Sequence, residues 1–170
     1  AEKSGLKDIM KMEKAQEQAY SLMLKREYGN PCSSPKKFIL FCRKLLFLES
    51  KNINWEANVW FTERLNISSE RYSRSNAVES FSFLDIHSHE NRQGLQRYLK
   101  YLLTVTSLNL GTIRIHNTYI KEFLRILEDC GKVITDIDRN SIEEYLKSFS
   151  MSHITAQSYN NKLQVISTFL

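Results

Sequence analysis

Apolar residues recur at helical spacing in the last third of the chain, in three segments separated by polar or turn-forming residues. The first segment covers residues 112–130 and ends before Gly131, which suits the left-handed position that follows a helix. Asp138 is a suitable N-cap for the second helix, and the third begins near Ile154. Their apolar faces hold Ile113, His116, Ile120, Phe123, Leu124 and Leu127, then Ile142, Tyr145, Leu146 and Phe149, then Tyr159, Leu163, Ile166 and Leu170.

The preceding part of the chain is also largely helical in its pattern. The spacing predicts a helix over 6–28, which Gly29-Asn30-Pro31 ends. Another helix starts at Ser34-Pro35 and is apolar on much of its circumference. A further helix is predicted over 90–105, with leucines on its buried side.

Between these helices, residues 51–86 show no sustained helical period. Trp55, Val59, Trp60 and Leu65 allow one short helix, residues 67–80 have the composition of a loop, and "FSFLDI" suits a short strand or an extended segment. The pattern therefore predicts a mainly α-helical chain with two parts. The first part, residues 1–106, has an irregular middle, and the second part covers 107–170.

The second part resembles a known family. Its segments "SLNLGTIRIHNTYIKEFLRIL", "ITDIDRNSIEEYL" and "SHITAQSYNNKLQVISTFL" are similar to the core-binding, SAM-like domain of tyrosine recombinases, the phage-integrase group. The upstream piece "SFSFLDIHSHENRQGLQRYLKYLL" is similar to the leader of transposon-type recombinases. The resemblance implies a leader over 1–106 and, over 107–170, a small helical domain that clamps duplex DNA. In that family a catalytic tyrosine in a following domain breaks and rejoins the DNA, so this chain is expected to bind DNA and not to cut it.

Positive charge is not concentrated in the part that resembles the DNA clamp. The net charge is +5 and the pI is near 9.1, which permits a polyanionic partner without requiring one. Residues 1–50 hold 10 Lys/Arg and 6 Asp/Glu, residues 51–105 hold 7 and 6, and residues 106–170 hold 7 of each. Any DNA-binding face of the second part must therefore arise from the way its charges are sorted.

In the predicted helix over 112–130, the positively charged residues lie together on one face. Three cations fall within about 40° of one another, opposite the apolar face, with a threonine beside them. Such a stripe suits phosphate contacts, which supply affinity without reading base sequence. Taken alone, it favours an ordinary solvated face partly paired with Glu122, Glu128 or Asp129, and the family resemblance reverses that preference. This cationic stripe comprises Arg114, Thr118, Lys121 and Arg125.

The third predicted helix carries amides on the side away from its apolar residues. Amides on an exposed helix can hydrogen-bond base edges in a major groove, although a plain polar surface has the same composition. The resemblance matches Thr155 to a threonine that opens this helix near the DNA backbone, and Lys162 on its flank can reach a phosphate. This amide face comprises Gln157, Asn160, Asn161 and Gln164.

No arrangement of residues predicts catalysis, a metal or a cofactor. His89 and Arg92 have the His-x-x-Arg spacing of the recombinase catalytic signature. They lie upstream of the clamp-like segment, whereas the family's motif lies downstream, so we interpret the match as coincidence. His87 and His89 lack the carboxylate or cysteine neighbours that a metal site needs. Three cysteines without metal-ligand spacing, Cys32, Cys42 and Cys130, are expected to be thiols in a reducing cytosol.

These features define the expected partners. We expect duplex DNA and further recombinase protomers, no small-molecule substrate, and no membrane, because no apolar run approaches about 18 residues. The expected location is the bacterial cytoplasm, at the nucleoid when DNA is bound. A helical protein-interaction adaptor is the alternative, and Arg97 with Lys100 is the alternative cationic surface. Both ends look cut, since the chain begins at Ala1 and stops at Leu170 within a helical pattern.

Overall fold

The computed structural model describes residues 8–29, 34–72, 77–150 and 155–170. In these ranges the chain is mainly α-helical, as predicted, with a two-stranded antiparallel sheet. The helices are α1 Lys14–Tyr28, α2 Ser34–Glu49, α3 His89–Thr104, α4 Leu110–Asp129, α5 Arg139–Ser150 and α6 Ala156–Phe169; the strands are β1 Val59–Phe61 and β2 Ser80–Ser82.

The chain folds into two compact units that do not follow its order in sequence. The first unit comprises the described residues of 1–67 together with 79–85. The second comprises those of 68–78 together with 86–170. Helix α3 belongs to the second unit, although it precedes residue 107, where the sequence pattern begins the second part. It therefore contributes to the framework that carries the candidate site.

The helix predicted over 6–28 is wrong at its start. Residues 6 and 7 lie outside the described residues, and α1 begins only at Lys14. Upstream of it, the carbonyl of Met10 accepts a hydrogen bond from Asn58 N at 2.9 Å, and that of Met12 accepts one from Arg43 Nη2 at 2.8 Å. Both methionine side chains are buried, whereas α1 has no buried residue. Tertiary hydrogen bonds thus use the carbonyls that a longer helix would need internally.

Helix α2 begins at Ser34, as its start signal predicts, and places one side in the core of the first unit. Ile39, Arg43 and Phe47 follow one another at intervals of one turn and are buried. The buried Arg43 guanidinium donates to the carbonyls of Ile9 and Met12. A buried charge needs such partners, so this arginine joins α2 to the segment before α1.

Where the pattern allowed a short helix over 55–65, β1 forms first and a single 3₁₀ turn follows at Thr62–Arg64. Trp60 pairs with Phe81 of β2 in antiparallel register. The Phe61 ring lies 5.8 Å from that of Phe47 on α2, measured between centroids. Aromatic residues favour strands because they pack well on a half-buried pleated surface. The segment "FSFLDI", predicted as a short strand or an extended segment, supplies Phe81 and Ser82 to β2, which begins one residue earlier at Ser80.

The predicted caps of the second unit are confirmed. Gly131 after α4 has a φ of +69°, the left-handed conformation predicted for it. Asp138 caps α5, since its Oδ1 accepts from Ser141 N at 2.8 Å. The hydrogen bonds that this carboxylate receives from Lys132 and Ser141 lower the pKa of Asp138. The third predicted helix is α6, which starts at Ala156; Ile154 lies outside the described residues.

A segment distant in sequence anchors the end of α3. The Arg71 guanidinium donates to the carbonyls of Leu103, Leu108 and Leu102, at 2.7, 2.8 and 3.0 Å. The last carbonyls of a helix lack intrahelical partners, and a cation is favourable beside them. Arg71 therefore stabilises the C-terminus of α3 and the connection that leads into α4.

Candidate nucleic-acid interface

Helix α4 positions the cationic stripe. Arg114, Thr118 and Arg125 are exposed, and Lys121 is half-buried. The Thr118 hydroxyl donates back to the Arg114 carbonyl at 3.0 Å, so it lies against the helix backbone. From 114 to 125 the stripe spans about 16 Å along the axis. The opposite side of the helix is buried and holds Leu110, Ile113, Asn117, Ile120, Phe123, Leu124 and Leu127.

Two glutamates of α4 take part in packing against neighbouring helices. Glu128 accepts hydrogen bonds from the backbone N–H groups of His87 and Ser88, both at 2.9 Å, at the N-terminus of α3. Glu122 forms an ion pair with Lys162 of α6. The sequence pattern predicted both glutamates as possible ion-pair partners of the cationic stripe. In the structure these contacts join α4 to α3 on one side and to α6 on the other.

Helix α6 presents the amide face. Thr155 is its N-cap, and the threonine hydroxyl accepts from Ser158 N at 3.2 Å. Val165 and Ile166 are buried, whereas Leu170, predicted on the apolar side, is exposed. Gln157 donates from Nε2 to Asn161 Oδ1 at 3.2 Å. All four amides of the face, Gln157, Asn160, Asn161 and Gln164, are exposed.

Lys162 differs from the other candidate residues because its charge lies between helices. Its Nζ atom lies 2.7 and 2.8 Å from the two carboxylate oxygens of Glu122. Only 12% of its side chain is exposed. The arrangement suits a contact that holds α6 against α4, and it leaves little of the ammonium group for a phosphate.

A groove of about 280 Å³ separates α4 from α6. Asn161 and Gln164 of the amide face line it from α6, and Ile115 lines it from α4. Ile115 is 47% exposed and belongs to no face that the sequence pattern singled out. Amides can hydrogen-bond base edges, and an apolar side chain can contact a thymine methyl group. The groove therefore combines two chemistries of base recognition, and one of its two helices, α4, also carries the cationic stripe.

Aromatic residues pack behind this groove. Tyr98 of α3 places its Oη 3.0 Å from Nδ1 of His116, and its ring packs edge-on against Phe169 at 5.4 Å between centroids. His116 also lines the groove. Burial lowers the pKa of His116 and raises the pKa of Tyr98. Tyr98 thus links α3 to His116 of α4 and to Phe169 of α6.

The remaining candidates lie elsewhere on the second unit. His89 is exposed at the start of α3, whereas Arg92 is buried. Arg97 and Lys100, the alternative cationic surface, are exposed on the same helix. Within the described ranges, no group of three His, Cys, Asp or Glu side chains could hold a metal ion. Cys42 and Cys130 are thiols, and Cys32 lies outside those ranges.

Comparison with known proteins matches part of the chain to one family. Residues 95–170 match the family model described as "Phage integrase, N-terminal SAM-like domain". The match covers the second half of α3 and all of α4, α5 and α6, the helices that carry the stripe, the amides and the groove. No curated protein and no solved structure matches the chain. Among the described helices, none has the length and apolar character needed to cross a bilayer.

Proposed function

Because residues 95–170 match the N-terminal SAM-like domain of phage integrases, we propose that this chain binds duplex DNA as the non-catalytic part of a site-specific tyrosine recombinase. The observation that carries the proposal is the placement of the stripe and the amides. They lie on two helices of one unit that pack side by side around a groove.

The sorting of charge supports an electrostatic contribution to affinity. Residues 106–170 have no net charge, yet Arg114, Lys121 and Arg125 follow one another along one side of α4. Each cation that neutralises a phosphate releases condensed counterions, so binding weakens as salt rises. This term acts on every duplex alike and positions the protein on the backbone.

The amide face supplies the part of the interaction that can depend on base sequence. Asn and Gln side chains match the donor and acceptor pair of adenine in the major groove, and a good bidentate contact discriminates by about 1–3 kcal/mol. Thr155 sits at the N-terminus of α6, where a hydroxyl and free backbone N–H groups can meet a phosphate. Lys162 is omitted from this surface because it is bound to Glu122.

In the full-length recombinase the family resemblance implies a tyrosine that attacks a phosphodiester and keeps its energy in a 3′-phosphotyrosyl bond. That chemistry needs neither a metal nor a nucleotide. We assign to this chain the tasks of holding DNA and assisting the assembly of protomers at the bacterial nucleoid.

A titration of the 170-residue chain with a labelled duplex at several salt concentrations tests the proposal. The logarithm of the association constant should fall linearly with the logarithm of salt concentration, by roughly 0.9 per phosphate contact. The combined change Arg114→Ala, Lys121→Ala, Arg125→Ala should weaken binding to all duplexes and flatten this slope. The matched control is Arg139→Ala with Lys147→Ala, two cations of α5 that pair with Glu143 and Glu144.

Two outcomes would contradict the proposal. Affinity for duplex DNA that does not depend on salt, or no affinity at all, would favour the helical adaptor. Equal slopes for the stripe variant and the α5 control would show that the stripe faces solvent. Arg97 and Lys100 would then be the next surface to change.

A further inference from the structure

Helix α2 is apolar on the side that faces away from its own core. Opposite the buried Ile39, the side chain of Phe38 is 57% exposed, that of Phe41 62% and that of Leu45 48%. A helix that is apolar all round is normally covered on all sides. Single exposed leucines are common, but several large apolar side chains in a row mark an interaction surface.

The exposed positions have the spacing of a two-stranded coiled coil. Of the exposed apolar residues, Phe38, Phe41 and Leu45 are three and four residues apart, and the half-buried Leu48 follows three residues later, as at successive a and d positions of a heptad; the exposed Leu40 and Leu46 lie outside this register. We name these four residues the α2 seam. In this register Lys44 occupies a g position and Glu49 the following e position, on the two sides of the seam.

We propose that the α2 seam is a self-association surface on which α2 of a second copy packs in parallel and in register. Charge complementarity selects this occupant. In a parallel pair, the g residue of one helix faces the e residue of the next heptad in the other helix, so Lys44 meets Glu49 of the second copy twice by symmetry. An antiparallel pair would instead bring the g residues Lys37 and Lys44 together. The proposal does not rest on DNA binding.

The ion pair that Lys44 forms within its own chain does not prevent it from pairing with Glu49 of a second copy. Lys44 pairs with Glu63 of its own unit at 2.6 Å, and their side chains are 42% and 57% exposed. Exposed pairs of this kind contribute little free energy, so Lys44 can turn to a second partner. Helix α2 has 16 residues, or about two heptads, fewer than the three or four that make a coiled coil stable by itself. The dimer is therefore weak and depends on concentration.

Sedimentation equilibrium of the 170-residue chain without DNA, up to about 1 mM, tests self-association. The average mass should rise from one copy towards two as concentration increases. Phe41→Glu places a charge in the seam and should keep the chain monomeric throughout. Tyr101→Glu is the matched control, because Tyr101 is similarly exposed, at 53%, on α3 of the other unit. It should associate like the parent, and circular dichroism should show that both variants are folded.

Charge exchange and cross-linking test the parallel register. Glu49→Lys should weaken association by about tenfold, since attraction at two pairs becomes repulsion. Adding Lys44→Glu to that variant should restore association. With the native cysteines changed to serine, Leu45→Cys should form an intermolecular disulfide, because equivalent a positions meet only in a parallel, in-register pair.

Several results would overturn the proposal. A parent that stays monomeric at every concentration has no such surface. If the parent is monomeric and Phe41→Glu lowers its melting temperature, the α2 seam is covered by other residues of the same chain. Association that survives Phe41→Glu uses another surface. If dimers form but Leu45→Cys gives no disulfide and the Lys44 and Glu49 substitutions do not change association, the two α2 helices are not parallel.

Discussion

Lys162 of α6 and Glu122 of α4 form an ion pair between the two helices of the candidate interface, with Nζ 2.7 and 2.8 Å from the two carboxylate oxygens. The same ammonium group lies 5.0 Å from the centroid of the Phe149 ring and 5.5 Å from that of Tyr119. An ammonium group over aromatic rings gains further electrostatic attraction. The lysine that the sequence pattern offered as a phosphate contact is thus positioned to stabilise the packing of α6 on α4.

Lys162→Ala should therefore lower the free energy of unfolding by about 1–2 kcal/mol, because the partly buried carboxylate of Glu122 loses its cation. The salt dependence of DNA binding should keep its slope. Urea unfolding and DNA titration measure the two effects. Arg114→Ala is the comparison variant and should flatten the slope, because Arg114 is an exposed cation of the stripe. If Lys162→Ala flattened the slope and left stability unchanged, Lys162 would contact a phosphate after all.

Substitutions in the amide face should change base preference. Asn160→Ala or Asn161→Ala should reduce the ratio of affinities for a preferred duplex and a random one by about 1–3 kcal/mol if a bidentate base contact is lost. The preferred duplex is obtained by selection from a random pool with the parent chain. Ser167→Ala, at another exposed position of α6, is the control. An unchanged ratio in both asparagine variants would place any base reading outside this face.

We expect the Ile115 side chain to contact a thymine methyl group in the bound duplex. It is an exposed apolar side chain in the groove beside Asn161 and Gln164, where a base edge can approach. Replacing thymine by deoxyuridine in the preferred duplex removes only the methyl group. This change should weaken binding by the parent and have no effect on Ile115→Ala. Equal loss in both proteins would mean that Ile115 does not contact the base, while salt-dependent binding would still support the wider proposal.

The free energy of unfolding should fall on mild acidification, because His116 takes up a proton more readily in the unfolded chain. Burial lowers the pKa of His116 below its usual 6.5, so the unfolded chain takes up this proton at a higher pH than the folded chain. Its contribution to stability is therefore complete above about pH 6.5 and is lost as the pH falls towards the lowered pKa. Parent and His116→Gln should be compared by urea unfolding from about pH 7 to about pH 5. A difference that does not change with pH would show that His116 titrates alike in both states.

The helices of the second unit were predictable because their signals are local. The apolar period gave α4 to within two residues at its start, and Asp138 and Gly131 mark ends whose geometry depends on a few neighbouring atoms. The sequence pattern missed the N-cap at Asn109, whose side chain accepts from Gly111 N at 2.7 Å. Cap residues are short-range features, so a single sequence is enough to suggest them.

The first unit was harder because distant residues decide its local structure. A helix over 6–28 satisfies the period, yet the carbonyls of Met10 and Met12 bind Asn58 and Arg43. The aromatic run around Trp60 becomes a strand only because Phe81 lies beside it. Periodicity describes one segment at a time, and these contacts join segments about 20 to 50 residues apart.

The sequence alone determined which side of α4 is apolar and where the cations of α4 and the amides of α6 lie around their helices, because both follow from 3.6 residues per turn. It placed Arg114, Lys121 and Arg125 along one side of α4, away from the buried side. Only the tertiary structure decided what packs beside these faces. Helix α6 against α4 creates the groove at Ile115 and brings Lys162 to Glu122. A helical wheel gives the direction of a side chain but not the neighbouring helix that it meets, and that neighbour decides whether a cation remains available to a ligand.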